Sequence, residues 1–261
     1  MSSPDASPRP LSRVTALKLL GATGGGLLLA HCGGGGASSA LPAASAATGS
    51  TTTTTSGSCA VTPEGEIGPY FADDSASGFN RSNIVANIDG SSPQPGIPLT
   101  LTLLVRDSEK SCAAVAGAQI DIWHCNAQGV YSDEGVESTT GQTWLRGYQL
   151  TDANGSATFT TIVPGWYAGR TTHVHLRVRS SYSEASSTSD GTNTTQVFFP
   201  QSLVDGIDTT VAPYSSHGQN STTNAGDRVY AQQTKGVTLL TLSGSTSSGY
   251  AATFTIDLPI T

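Results

Sequence analysis

From Pro98 onward, apolar residues recur at every second position in short runs separated by turn-forming residues, a pattern that steers a chain toward paired strands rather than helices. Leu99, Leu101, Leu103 and Val105 alternate with threonines and Leu104, and Ile120 and Ile122 alternate with Asp121 and Trp123. The runs 148–151 and 157–161 flank Asp152-Ala153-Asn154-Gly155, which reads as a hairpin turn because Asn and Gly tolerate positive φ. Further strands are expected at 172–178, 195–199, 237–242 and 251–258. No amphipathic helix of three turns is visible in 59–261. The stretch 180–195, rich in Ser, Thr, Asn and Gly, reads as a loop, and 200–236 as a long excursion with a short helix. The expected fold is therefore all-β, a two-sheet β-sandwich with long loops.

The segment ahead of this domain has a different character. Residues 1–32 read as an export signal: Arg9, Arg13 and Lys18 precede an apolar run, Leu19 to Ala30, that is too short to span a bilayer. Val14 stands where a twin-arginine signal would have its second arginine. Leu29-Ala30-His31-Cys32 resembles a lipobox, with His31 in place of a small residue; acylation of Cys32 would give a membrane-anchored lipoprotein, and an ordinary signal peptide is the alternative. Residues 33–58 are Gly, Ser and Thr-rich, a composition that buries too little apolar surface to offset its ordering entropy, so a flexible tether is expected. The protein is thus expected to be exported, to the periplasm or the extracellular space.

Such compartments permit disulfides. Cys59, Cys112 and Cys125 fall inside the domain; Cys59 with Cys112 is the expected pair, leaving Cys125 as a small core residue, although other pairings stay open. With 12 Lys and Arg against 19 Asp and Glu, a net charge of -7, the chain offers no basic stripe for a nucleic acid.

The chemistry concentrates in Pro164-Gly165-Trp166-Tyr167-Ala168-Gly169-Arg170-Thr171-Thr172-His173-Val174-His175. On an extended segment, His173 and His175 project from one face while Val174 packs on the other, which is metal-ligand spacing. Tyr167 and Arg170 could face the same point. Upstream, the stretch from Asp121 to Tyr131 reads as a strand followed by a loop presenting a second tyrosine.

The order Tyr131, then Pro-Gly-x-Tyr, then Arg-x-x-His-x-His resembles the intradiol ring-cleavage dioxygenases, the group that includes protocatechuate 3,4-dioxygenase and catechol 1,2-dioxygenase. The resemblance implies a β-sandwich with a non-haem Fe(III) site at one end, whose ligands are the phenolates of Tyr131 and Tyr167 and the imidazoles of His173 and His175. It implies that Tyr167 and His175 are axial, that Arg170 stabilises negative charge on the substrate, and that Gln196 lies near substrate and dioxygen. Gly68-Pro69-Tyr70-Phe71 resembles the segment that folds over the pocket, making Tyr70 a substrate contact. A ferric ion prefers anionic oxygen and draws a phenol, whose pKa is ordinarily about 10, into its ionised form. A catechol dianion replacing hydroxide and one phenolate would leave the summed charge unchanged.

Two features depart from the family pattern. Only Ala168 and Gly169 separate Tyr167 from Arg170, where the family has Pro-Trp and several more residues, so a pocket wall is missing and a more open site accepting varied catechols is expected. No helical dimerisation segment is present, only the tether. The reading is an exported dioxygenase that takes catechol and dioxygen to muconate-type products. A tethered β-sandwich that binds a metal or an aromatic ligand without turnover is the alternative, and an extracellular structural domain a third.

Overall fold

The computed structural model describes residues 59–72, 77–180, 193–233 and 237–260. The expected export signal with Cys32, the expected tether and most of the 180–195 loop lie outside the described residues. The strands are β1 (Pro98–Asp107), β2 (Ala113–Ala114), β3 (Gln119–Trp123), β4 (Arg146–Leu150), β5 (Ser156–Ile162), β6 (His173–Arg179), β7 (Asn193–Phe198), β8 (Leu242–Ser245) and β9 (Gly249–Leu258). Two helices, α1 (Gln201–Thr210) and α2 (Arg228–Gln232), lie in the excursion between β7 and β8. No helix among the described residues is long and apolar enough to cross a membrane.

The strands form two sheets, one ordered β2-β1-β9-β8 with β5 also on β1, the other β4-β3-β6-β7. In β1, Leu99, Leu101, Leu103 and Val105 are buried and the residues between them face outward, so the period-two signal reports the inner face of the first sheet. Each such side chain contributes about 1.5–3 kcal/mol by burial. Across the gap, Ile120 and Ile122 of β3 and Val174, Leu176 and Val178 of β6 complete the inter-sheet core.

The central strands of the second sheet, β3 and β6, are buried on both faces, and their outer face carries the polar chemistry. His173, His175, Arg177 and Arg179 alternate with the three β6 apolar residues, and in register beside them on β3 stand Trp123, Asp121 and Gln119. A strap, residues 59–72, crosses this face. Thr62 is bonded to Asp257 of β9 in both directions, Gly65 N donates to Thr194 O at 2.7 Å, and the Phe71 ring lies 5.1 Å from the Arg177 guanidinium carbon. At its start the strap is fastened by a disulfide between Cys59 and Cys112, Cα atoms 5.8 Å apart, while Cys125 is free and buried.

Two strand expectations need correction. The turn at Asp152–Gly155 forms, with Gly155 at φ +72° and Asp152 N donating to Ser156 O, but no hairpin follows: β4 belongs to one sheet and β5 to the other. The turn residues set the chain reversal, whereas β5 finds its partner in β1, more than fifty positions back. The segment 237–242 is not one strand. Thr238 and Leu240 bond to Phe198 of β7, then Leu242 joins β9, so this alternating run passes from one sheet to the other.

Candidate metal centre

Tyr131 and Tyr167 sit on two loops laced together by glycines. After β3, the Asn126 side chain accepts the N–H groups of Gln128 and Val130, and Asn126 N donates to Val130 O at 2.7 Å. Gly129, at φ +83°, lies so close to the second loop that a Cβ would stand 2.1 Å from the Trp166 carbonyl oxygen. Gly165 of the Pro-Gly turn meets Ala127 in the same way, its hypothetical Cβ 2.4 Å from that carbonyl oxygen. No larger residue fits at either crossing. The lacing brings the tyrosine rings to a centroid separation of 5.6 Å.

The histidines are oriented by different means. His173 Nδ1 donates to the Thr171 carbonyl at 2.6 Å, which fixes the tautomer and leaves a lone pair on Nε2. The His175 ring is held by packing: it stacks on Trp123 at 4.8 Å and 13°, and a Cβ on Gly68 would lie 3.1 Å from its Cε1. As a result the two Nε2 atoms face each other at 3.1 Å. Tyr167 Oη stands 3.5 Å from His173 Nε2, and the Tyr131 ring lies 6.4 Å from that of His175.

Arg170 closes this group through a tight turn. Its N–H donates to Tyr167 O at 3.1 Å across Ala168 and Gly169, the latter at φ +85°, so the short spacing noted in the sequence folds the guanidinium back over the tyrosine. Nη1 stands 3.4 Å from both Tyr167 Oη and His173 Nε2, Nη2 donates to Gln196 Oε1 at 2.5 Å, and Nε to Asp227 Oδ2 at 2.8 Å. Gln196, beside His175 in the β6–β7 register, in turn donates to the Glu66 carbonyl of the strap. Tyr70 lies flat on Tyr131, ring centroids 4.1 Å apart, and edge-on to Tyr167 at 5.4 Å. All the residues singled out from the sequence therefore meet in one cluster.

Burial governs their protonation. It pushes the Tyr131 phenol well above its ordinary range and that of Tyr167 up to about 12, with Arg170 opposing the second shift. It also depresses His173 to about 3, helped by Arg170, and His175 well below its usual value, helped by His173. Both imidazoles are thus neutral lone-pair donors, and the phenols need a cation beside them to ionise.

The donor set fits a hard, highly charged cation. Tyr131 Oη is buried and finds no hydrogen-bond partner, a costly state for a hydroxyl. The 3.1 Å between Nε2 atoms matches two ligands on one ion, because donors about 2.1 Å from a shared centre at right angles lie about 3 Å apart. Among the described residues no group of three or more His, Cys, Asp or Glu comes together, so the phenols are integral to any metal site here.

The sequence assigned no role at the site to Asp227, Trp123 or Gly68 themselves. Asp227 carries a local signal as the N-cap of α2, accepting from Val229 and Tyr230, but nothing in the sequence links it to Arg170. Burial works to raise its carboxyl, yet the N–H groups of Tyr230 and Thr171 and the Arg170 guanidinium hold it below its ordinary value.

The class so described is an all-β sandwich carrying phenol and imidazole donors and a guanidinium at one end of its second sheet. The family model described as Dioxygenase matches residues 67–202, and the chain belongs to the intradiol ring-cleavage dioxygenase family. An intradiol ring-cleavage dioxygenase from Tetranychus urticae is 26% identical over 78% of this chain and 96% of its own, with a TM-score of 0.64. The dioxygenase domain of a dioxygenase and carbohydrate-binding fusion from the cellulolytic bacterium Streptomyces sp. SirexAA-E is 28% identical over 77% of this chain and 100% of its own, with a TM-score of 0.52. The 3-chlorocatechol 1,2-dioxygenase of Rhodococcus opacus 1CP, 22% identical over 75% of this chain and 71% of its own with a TM-score of 0.50, shares the fold. No curated protein matches the chain.

Proposed function

We propose that the protein is a non-haem Fe(III) intradiol dioxygenase that opens catechols between their two hydroxyls, adding both atoms of dioxygen to give muconate-type diacids. The observation that carries this reading is the convergence of Tyr131, Tyr167, His173 and His175 beside Arg170. When bound, ferric iron would supply a Lewis-acidic, redox-active centre that makes a catechol reactive toward dioxygen.

The residues divide the remaining work. His173 and His175, kept neutral by burial, and the buried Tyr131 would hold the metal. Tyr167, partly exposed at the rim, would be the second phenol to hold the metal, and its Oη would be the group placed to take a substrate proton. Arg170 Nη1 stands where negative charge develops on the substrate and opposes it with a permanent positive charge. Gln196 steadies Arg170 from the opposite side, and Tyr70 forms an aromatic wall against the ring. The short Tyr167–Arg170 turn supports an open rim and a tolerance for bulky catechols.

Export remains part of the proposal. The Cys59–Cys112 disulfide supports a periplasmic or extracellular site of action, with Cys32 as the candidate lipid anchor. The functional test is a visible spectrum of iron-loaded protein, with and without catechol in the absence of oxygen, followed by oxygen uptake. A phenolate-to-iron band that shifts with catechol, and is altered in Tyr167→Phe, is expected. Colourless iron-loaded protein would sink the reading.

A further inference from the structure

Asp227 is fully buried, and all four of its close contacts are N–H donors. Oδ1 accepts from Val229 N at 2.8 Å and Tyr230 N at 3.0 Å, which caps α2. Oδ2 accepts from Thr171 N at 2.9 Å and Arg170 Nε at 2.8 Å, which reaches into the cluster. The carboxylate thus joins the β7–β8 excursion to the turn bearing Arg170. Its neighbours reinforce the same turn: Asn220 Nδ2 donates to Arg170 O at 2.8 Å, and Thr171 Oγ1 donates to Asn224 Oδ1 at 2.6 Å.

A guanidinium is planar, so two bonds on different nitrogens fix both its position and its rotation. Asp227 takes Nε, Gln196 takes Nη2, and Nη1 alone is left aimed at Tyr167 Oη and His173 Nε2. Gln196 is an amide on a neighbouring strand, whereas Asp227 is the charged partner held rigid by three backbone N–H groups. We infer that Asp227 is a positioning residue for Arg170, setting the guanidinium so that Nη1 faces the reacting centre. This role rests on the function proposed above. It differs from helix capping, which the same carboxylate also performs through its other oxygen.

The two roles separate in Asp227→Ser, because serine caps a helix nearly as well as aspartate but is too short to reach Arg170 as well. In metal-free protein, the Arg170 Nε–H signal in nitrogen NMR exchanges slowly with solvent in the wild type and quickly in Asp227→Ser. In iron-loaded protein, Asp227→Ser lowers kcat by about 10–100-fold, the usual cost of losing an outer partner of a functional group, with KM little changed and the phenolate band intact. In an Arg170→Ala background the same change adds almost nothing, since the group being positioned is gone. Asp227→Asn provides a second variant, in which an amide N–H₂ must face two N–H donors; it shows the same exchange and kinetic effects.

A variant kcat equal to wild type, or an equal loss in both backgrounds, overturns the positioning role and leaves Asp227 a structural cap. Failure of the underlying function looks different: iron-loaded wild type then consumes no dioxygen with any catechol, and the inference falls with it.

Discussion

His173 Nε2 and His175 Nε2 face each other at 3.1 Å, although the residues are held by unrelated means, one by the Thr171 carbonyl and the other by the Trp123 indole. In the metal-free protein an Nε2–H of His175 can donate to His173 Nε2, whose ring proton is already given to Thr171 O, and the same separation suits two ligands on one ion. Replacing His175 by Ala is therefore expected to weaken iron binding by more than the ~10–100-fold typical of an outer-shell change. Iron content after dialysis against a graded chelator measures this. Undiminished iron in the variant would place the metal elsewhere.

The Tyr131 hydroxyl gives a prediction with opposite signs in the two states of the protein. Buried with no partner, it costs the metal-free fold about 1–3 kcal/mol, so Tyr131→Phe should raise the melting temperature of metal-free protein. The same change removes a phenolate donor and should weaken or abolish the visible band of the iron-loaded form. Thermal melts and spectra of one preparation check both halves. A drop in metal-free stability would mean that the hydroxyl is satisfied within the protein.

Strand positions were legible in the sequence wherever one face of a strand meets the inter-sheet core, as in β1 and β9. Sheet membership was not. The Asn-Gly turn before β5 and the apolar run at 237–242 both lead from one sheet to the other, and alternation says which face of a strand is apolar without saying which neighbour pairs with it. The cluster followed the same logic. Tyr167, Arg170, His173 and His175 lie within one short stretch, so turn and strand periodicity suffice to bring them together. Asp227 stands 57 positions from Arg170, and a single carboxylate at a helix cap carries no mark of a second use.

Asp208 of α1 should make stability fall as pH rises. Burial is the main cause that lifts its carboxyl to about 6, helped by Asp205 and opposed by the Asn220 N–H. Between the ordinary carboxylate range and that value the native state binds more protons than the unfolded chain, so stability is greatest below this window and is lost through it. The Asp208→Asn variant should lose that slope and gain up to about 2 kcal/mol at neutral pH. Urea melts from pH 4 to 7 decide the matter; a wild type that grows more stable across this window contradicts it.

The strap gives the last prediction. The Cys59–Cys112 bond closes a 53-residue separation, for which chain entropy predicts about 4 kcal/mol. Replacing both cysteines by Ser should lower stability by about 2–4 kcal/mol, speed hydrogen exchange along 62–71, and raise KM for catechol through the loosened Tyr70. If exchange in that stretch is unaltered while the melting temperature falls, the disulfide acts on the unfolded chain alone.

The bond from Thr62 N to Asp257 O ties the cover of the site to β9, which itself docks in parallel on β1. Pairings between such distant parts of a chain form slowly, because the intervening loop must be ordered first. The start of the cover hangs on β9, whereas Glu66 and Tyr70 are also held by Gln196 and Arg146 of the second sheet, so loss of β9 would free the cover from its first residues onward. Shortening the chain within β9 should thus unroof a site to which that strand contributes no ligand.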